Sequence, residues 1–120
     1  MKKKILVVDD ETDLLLVTLL RLKCVGYESF GAVNGQEALD MARQKMPDLI
    51  LLDALLPVIN GDEIAKILKK EEKTKNIPII LISADTRFLE EKFAACGADG
   101  RLTKPFKSAE LLAMIKKYIG

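Results

Sequence analysis

The sequence predicts an α/β fold, a doubly wound parallel sheet with helices on both faces, and three observations carry that expectation. Short apolar runs of strand length recur along the chain. Helical spacing or a helix-capping signal follows them. Polar groups stand at the ends of four of the runs. The runs are Ile5-Leu6-Val7-Val8, Leu49-Ile50-Leu51-Leu52, Ile79-Ile80-Leu81-Ile82 and the stretch ending at Leu102-Thr103. The groups after them are Asp9-Asp10-Glu11, Asp53, Ser83 and Lys104. Unbroken apolar runs mark strands buried on both faces. Ligands of open α/β sheets bind at the carboxyl rim, so these polar groups are expected to meet there.

The elements follow in order. The first strand lies near residues 4–8, and a helix follows over about 12–25, stopped at Gly26 as a C′ glycine. Residues 27–32 read as a weaker strand nearer an edge. Asn34 with Glu37 three residues on is a capping-box signal for a helix reaching about residue 44, ahead of Pro47. The strand at 49–52 ends at Asp53. Asn60 with Glu63 repeats the capping signal, and Ile64, Ile67 and Leu68 give the following helix an apolar face. Pro78 opens the strand at 79–82. A helix over about 86–96 carries Phe88, Leu89 and Phe93 and stops at Gly97. A short strand near 100–103 precedes Lys104-Pro105-Phe106, and a last helix over about 108–119 turns Leu111, Leu112 and Ile115 inward.

Five βα units of this length imply one parallel sheet, and right-handed crossovers limit its topology. The simplest compatible arrangement is the flavodoxin-like strand order 2-1-3-4-5. Strands one and three then lie side by side at the switch point, with Asp10 beside Asp53.

Composition narrows the function. A chain of 120 residues fits one domain, residues 1–120, and 49% hydrophobic residues suffice for a core. A formal net charge of +1 gives no argument for direct nucleic-acid binding. Lys2-Lys3-Lys4 reads as a solvated lead-in to the first strand. No apolar run approaches the roughly 20 residues that span a bilayer, and no secretory segment is apparent. The expectation is a soluble cytoplasmic protein without membrane contact. Cys24 and Cys96 stand apart, without metal-ligand spacing, and read as buried small apolar residues in a reducing compartment. The absence of histidine removes the usual general base and zinc ligand. No glycine-rich phosphate loop is present, and the first loop is acidic, so a phosphate there needs an intervening cation.

The rim residues supply that chemistry. Asp9, Asp10 and Asp53 have plainer readings singly, as helix-start or turn residues. Together they crowd three carboxylates, which is costly unless positive charge sits among them. Lys104 supplies one charge, and a hard divalent cation supplies two. Mg²⁺ suits a site of few carboxylates, retained waters and a phosphate oxygen. Asp53 is the best nucleophile, because carboxylates can attack phosphorus to form aspartyl-phosphates. Ser83 can donate to a phosphoryl oxygen, and a cis Lys104–Pro105 bond is one way to aim the lysine inward.

The chain resembles the receiver domain of two-component response regulators over its whole length. The matching pieces are residues 5–11, residues 49–53, Pro57 with Gly61, Pro78 through Ser83-Ala84, Gly97-Ala98-Asp99 and Lys104-Pro105-Phe106. The resemblance implies Asp53 as phosphoacceptor and Asp9 and Asp10 as the acidic metal pocket. It implies the backbone carbonyl of Leu55 as a further metal ligand, Ser83 as the phosphoryl-sensing hydroxyl and Lys104 as the phosphoryl ion pair. The donor would be a partner histidine kinase or phosphotransfer protein. The output would be a switched face for a downstream protein, formed by the fourth helix, fifth strand and fifth helix. Such a protein accepts a phosphoryl group without being a turnover enzyme. The alternative is a pseudo-receiver, a docking module that is not phosphorylated.

Three departures stand out. Leu56 and Asn60 replace the family's frequent Met and Asp, which should leave the chemistry intact. The family's switch aromatic falls on Arg101, which is expected to stay solvent-facing, either as a polar cover or, with Lys107, as a contact to an acidic partner. Leu55 and Asp85 stand two residues after Asp53 and Ser83, where they bear on access of hydrolytic water. With 120 residues the chain has no room for an output domain, so it acts alone or is one module of a longer protein. The sequence does not fix oligomeric state.

Overall fold

The computed structural model describes residues 2–120. Five strands and five helices alternate: β1 (Lys4–Val8), α1 (Thr12–Cys24), β2 (Glu28–Ala32), α2 (Gly35–Lys45), β3 (Leu49–Asp53), α3 (Gly61–Lys70), β4 (Ile79–Ser83), α4 (Thr86–Cys96), β5 (Gly100–Thr103) and α5 (Ser108–Ile119). All neighbouring strands are parallel, in the order β2-β1-β3-β4-β5. The expected topology is therefore observed.

Alternation along the strands sorts the core into two layers. Leu6, Val8, Ile50, Leu52, Ile79 and Leu81 face one cluster with residues of α2, α3 and α4. Ile5, Val7, Leu49, Leu51, Ile80 and Ile82 face the other, with α1 and α5. Every residue of β3 and β4 is buried, as strands covered on both sides must be. Truncating one such leucine to alanine costs about 2–5 kcal/mol. That rigidity matters because Asp53 and Ser83 are the last residues of these two strands.

Local signals hold with a few differences. α1 ends at Cys24, and Gly26 takes φ 100° just beyond it. That left-handed conformation suits glycine. β2 begins at Glu28 rather than 27, and α2 runs one residue further than expected, to Lys45. Asn34 Oδ1 accepts from the Glu37 N–H at 2.9 Å, while Glu37 reaches back to the Val33 N–H at 3.0 Å. Asn60 does not repeat that pattern. Its side chain makes no cap and turns back to accept from the Leu56 N–H at 3.3 Å, tightening the β3–α3 loop instead. Of the expected α5 contacts, Leu111 and Ile115 are buried and Leu112 is half-buried. Cys96 is buried as expected, but Cys24 is exposed, because it lies on the outer face of α1 near its end. No helix among the described residues is long and apolar enough to cross a membrane.

Candidate functional site

Strand register builds the site. β1 pairs with β3 through Val8 and Leu52, so Asp9 leaves the sheet beside Asp53. β4 pairs with β3 on the other side, and Ser83 pairs with Thr103, bringing Lys104 to the same rim. Asp9, Asp10 and Asp53 each offer a carboxylate oxygen, all within 4.8 Å of one another. Asp9 and Asp53 are buried, and Asp10 is exposed.

The buried carboxylates are held at both oxygens. Asp9 Oδ1 accepts from the Glu11 N–H at 3.0 Å, and Asp53 Oδ1 accepts from the Leu55 N–H at 3.1 Å. Lys104 Nζ donates to Asp53 Oδ2 at 2.9 Å and to Asp9 Oδ2 at 3.3 Å, with Glu11 at 3.9 Å. The lysine's backbone is fixed at the rim, where the Lys104 N–H donates to the Ser83 carbonyl at 2.9 Å. The Lys104–Pro105 bond is cis. Burial pushes the Asp53 carboxyl above the usual carboxylate range, with the nearby Asp9 charge adding to it. The hydrogen bond and charge of Lys104 and the Leu55 N–H pull the other way without overcoming burial. For Lys104, burial opposes the charged form, but the hydrogen bonds and charges of Asp53 and Asp9 prevail and raise its pKa.

Behind the acidic cluster lies a cavity of about 20 Å³, room for about one water. Leu14 and Thr18 of α1 and Phe106 help to line it. The sequence reading did not single out Leu14 or Thr18. Their signal was helical phase, which places them one and two turns after Asp10 on the face turned toward β1. In front of the cluster the β3–α3 loop turns outward. Leu55 is half-exposed there, and Val58 is fully exposed at φ 68°. The Gly61 N–H closes the loop onto the Ala54 carbonyl at 2.9 Å.

Ser83 is buried at the end of β4, and its Oγ accepts from the Asp85 N–H at 3.1 Å. Asp85 in turn caps α4, accepting from the Phe88 N–H at 3.0 Å. Arg101 keeps to the surface as expected, but its guanidinium is not free. It pairs with Glu90 of α4 at 2.5 Å and lies 4.8 Å over the Phe93 ring. The Arg101 side chain thus packs on α4 rather than facing water alone.

The donor set fits a hard cation: three carboxylate oxygens converge, with no sulfur or imidazole among them. Fold and site together define a doubly wound α/β protein with an acidic pocket and a half-buried lysine at its switch point.

Proteins of one family share these features. Residues 5–116 match the family model described as the response regulator receiver domain. The chain is 41% identical over 116 residues to the phosphate regulon transcriptional regulatory protein PhoB of Pseudomonas aeruginosa, covering 95% of this chain and 50% of that one. It is 36% identical over 123 residues to the polar-differentiation response regulator DivK of Brucella anthropi, covering 100% of this chain and 98% of that protein. The chain thus spans about half the length of PhoB and nearly all of DivK. Among solved structures, Vibrio cholerae chemotaxis protein CheY4 superposes with a TM-score of 0.92 at 31% identity, over 98% of this chain and 99% of that one. The receiver domain of the P. aeruginosa sensor histidine kinase PA1611, with a magnesium ion coordinated in its active-site cleft, gives 0.93 at 30% identity, over 100% and 99%. The chain belongs to the response regulator receiver domain family, and is a receiver of two-component signalling.

Proposed function

We propose that this receiver takes a phosphoryl group onto Asp53 from a phosphohistidine of a partner histidine kinase or phosphotransfer protein. One observation carries the reading. Asp53 is the carboxylate that stands both in the acidic cluster and against the Lys104 ammonium, at 2.9 Å. An Asp53 oxygen attacks phosphorus in line, the P–N bond breaks, and the departing imidazole keeps the electron pair and takes a proton. Asp9, Asp10, Asp53 and the Leu55 carbonyl would hold Mg²⁺, as the magnesium-bound PA1611 relative supports. Bound there, the ion would neutralise charge on the incoming phosphoryl oxygens. Lys104 then follows the phosphoryl group as its ion pair, and Ser83 donates its hydroxyl to it.

On this reading the described chain is one receiver domain over residues 1–120, acting in the cytoplasm, where its donor's phosphohistidine is presented. It is a phosphoacceptor rather than a turnover enzyme, and its downstream target is a protein docking on the face of α4, β5 and α5. A docking-only pseudo-receiver has no observation behind it, since the groups it could dispense with are all gathered at the rim. The test is incubation with a small phosphodonor and Mg²⁺, followed by intact mass and site mapping. A single added phosphoryl group on Asp53 is expected. An unlabelled chain, or full labelling of Asp53→Ala, would overturn the assignment.

A further inference from the structure

α4 is thinly anchored by apolar burial. Only Leu89 and Cys96 of its residues are buried, whereas α3 buries five residues on a shorter helix. Charge supplies contacts on both flanks. Toward β5, Glu90 pairs with Arg101 at 2.5 Å, and the Arg101 guanidinium covers the Phe93 ring. Toward α3, Lys92 Nζ lies 3.7 Å from Asp62 Oδ2, and 5.5 Å from the centre of the Phe88 ring. Asp62 is 2% exposed, and its Oδ1 has no hydrogen-bond partner. A buried carboxylate with one idle oxygen leans heavily on its nearby cation. The start of α4 is tied to the rim as well, since the Asp85 N–H rests on Ser83 Oγ. A phosphoryl oxygen that accepts from this hydroxyl and draws it toward Asp53 would move Ser83 Oγ away from the Asp85 N–H that rests on it.

We infer that α4 is a charge-pinned switch helix, held in the described position by Glu90–Arg101 on one side and Asp62–Lys92 on the other, and that these pairs set how readily the chain adopts its phosphorylated conformation. This rests on the phosphoacceptor reading above and adds its regulation. The physical basis is linkage. A ligand that favours the second conformation binds more weakly in proportion to the stability of the first. Weakening the pins therefore tightens binding of a phosphoryl mimic without touching any group that contacts it. Glu90 and Arg101 are half-exposed, so their pair is modest and screened by salt.

The experiment titrates beryllofluoride with Mg²⁺ into the wild type, Glu90→Gln, Arg101→Gln and their double variant, at low and high salt. Hydrogen exchange of the α4 amides is followed without the mimic. Each single variant should bind the mimic roughly two- to five-fold tighter at low salt. The double variant should gain no more than Arg101→Gln alone, because that change already removes both the pair and the contact with Phe93. The wild type should close most of that gap at high salt. α4 should exchange faster in both single variants, a readout independent of phosphorylation. Asp62→Asn should move both measurements in the same direction. Equal mimic affinity and unchanged α4 exchange across the series would overturn the pinning while leaving the phosphoacceptor reading intact. Failure of the wild type to bind the mimic at all would overturn both.

Discussion

Lys104 Nζ donates to Asp53 Oδ2 at 2.9 Å, across 51 residues of sequence, and the same ammonium also reaches Asp9. The lysine therefore sits on two carboxylates of the acidic cluster. It relieves their mutual repulsion, and it would compete with a cation bound there on the reading proposed above.

Lys104→Met should for this reason bind Mg²⁺ more tightly than the wild type. A unit charge about 5 Å from a divalent ion contributes about 7 kcal/mol at an effective dielectric near 20. Solvent screening and retreat toward Glu11, 3.9 Å away, reduce that. A gain of about three- to ten-fold is expected by calorimetric titration. The variant should still be labelled on Asp53, more slowly, yet fail to bind its partner in the labelled state. Weaker Mg²⁺ binding would show that the lysine organises the pocket rather than competing for it.

Asp53 sets a pH dependence. Burial raises its carboxyl pKa above the ordinary 3.8, so the folded chain holds that proton more tightly than the unfolded chain. The cost of the buried charge is fully present above the folded-state pKa and is relieved as pH falls from there toward 3.8. Lys104 acts in a different window, because its contribution is present below 10.5 and is lost as pH rises through its raised value. Asp53→Asn should remove the acid-side effect and raise the melting temperature of the metal-free chain at neutral pH. A rise of about 4 °C would correspond to about 1 kcal/mol for a domain of this size. Thermal melts from pH 7 down to pH 4, without metal, check both points, and an unchanged or lower melting temperature for Asp53→Asn would contradict them.

Asp10 separates metal binding from structure. It is exposed, so Asp10→Asn should barely change the melting temperature without metal. Mg²⁺ at a hundred times its dissociation constant should stabilise the wild type by about 2.7 kcal/mol. Under the same conditions the variant should gain much less and label more slowly. Equal Mg²⁺ stabilisation in both proteins would remove Asp10 from the pocket.

The layout of this site was legible because it depends on strand ends. Unbroken apolar runs mark where β1, β3 and β4 stop, and a parallel sheet carries every stop to one rim. Asp9, Asp53, Ser83 and Lys104 followed from that alone. Side-chain contacts between helices were not legible in the same way. Asp62 reads as an ordinary acidic residue in a helix's first turn, and only α4 packing over it makes it buried. Arg101 reads as a surface charge, and only the placement of Glu90 and Phe93 on the neighbouring helix engages it. Asn60 carries a capping signal, but the tight turn from Ala54 to Gly61 gives its side chain a nearer donor in Leu56.

That turn yields the last prediction. A Cβ on Gly61 would stand 2.1 Å from the Asp53 carbonyl oxygen and 3.0 Å from Ala54 Cα. These are backbone atoms at the end of a buried strand, so no rotamer change can make room. Gly61→Ala must push α3 away from β3 or shift the end of β3 itself, and that end carries Asp53. A loss of about 3 kcal/mol is expected from such overpacking, with weaker Mg²⁺ binding and slower labelling. Gly97 is the contrasting case. An added Cβ there meets nothing closer than 3.6 Å, but its φ of 82° is unfavourable for an L side chain. Gly97→Ala should cost about 1 kcal/mol through backbone conformation and leave Mg²⁺ affinity unchanged, because Gly97 precedes β5 whereas the rim lies at the other end of that strand. Denaturant unfolding and Mg²⁺ titration of both variants test the distinction. Normal Mg²⁺ affinity in Gly61→Ala would mean that the β3–α3 turn can shift without carrying the acidic pocket with it.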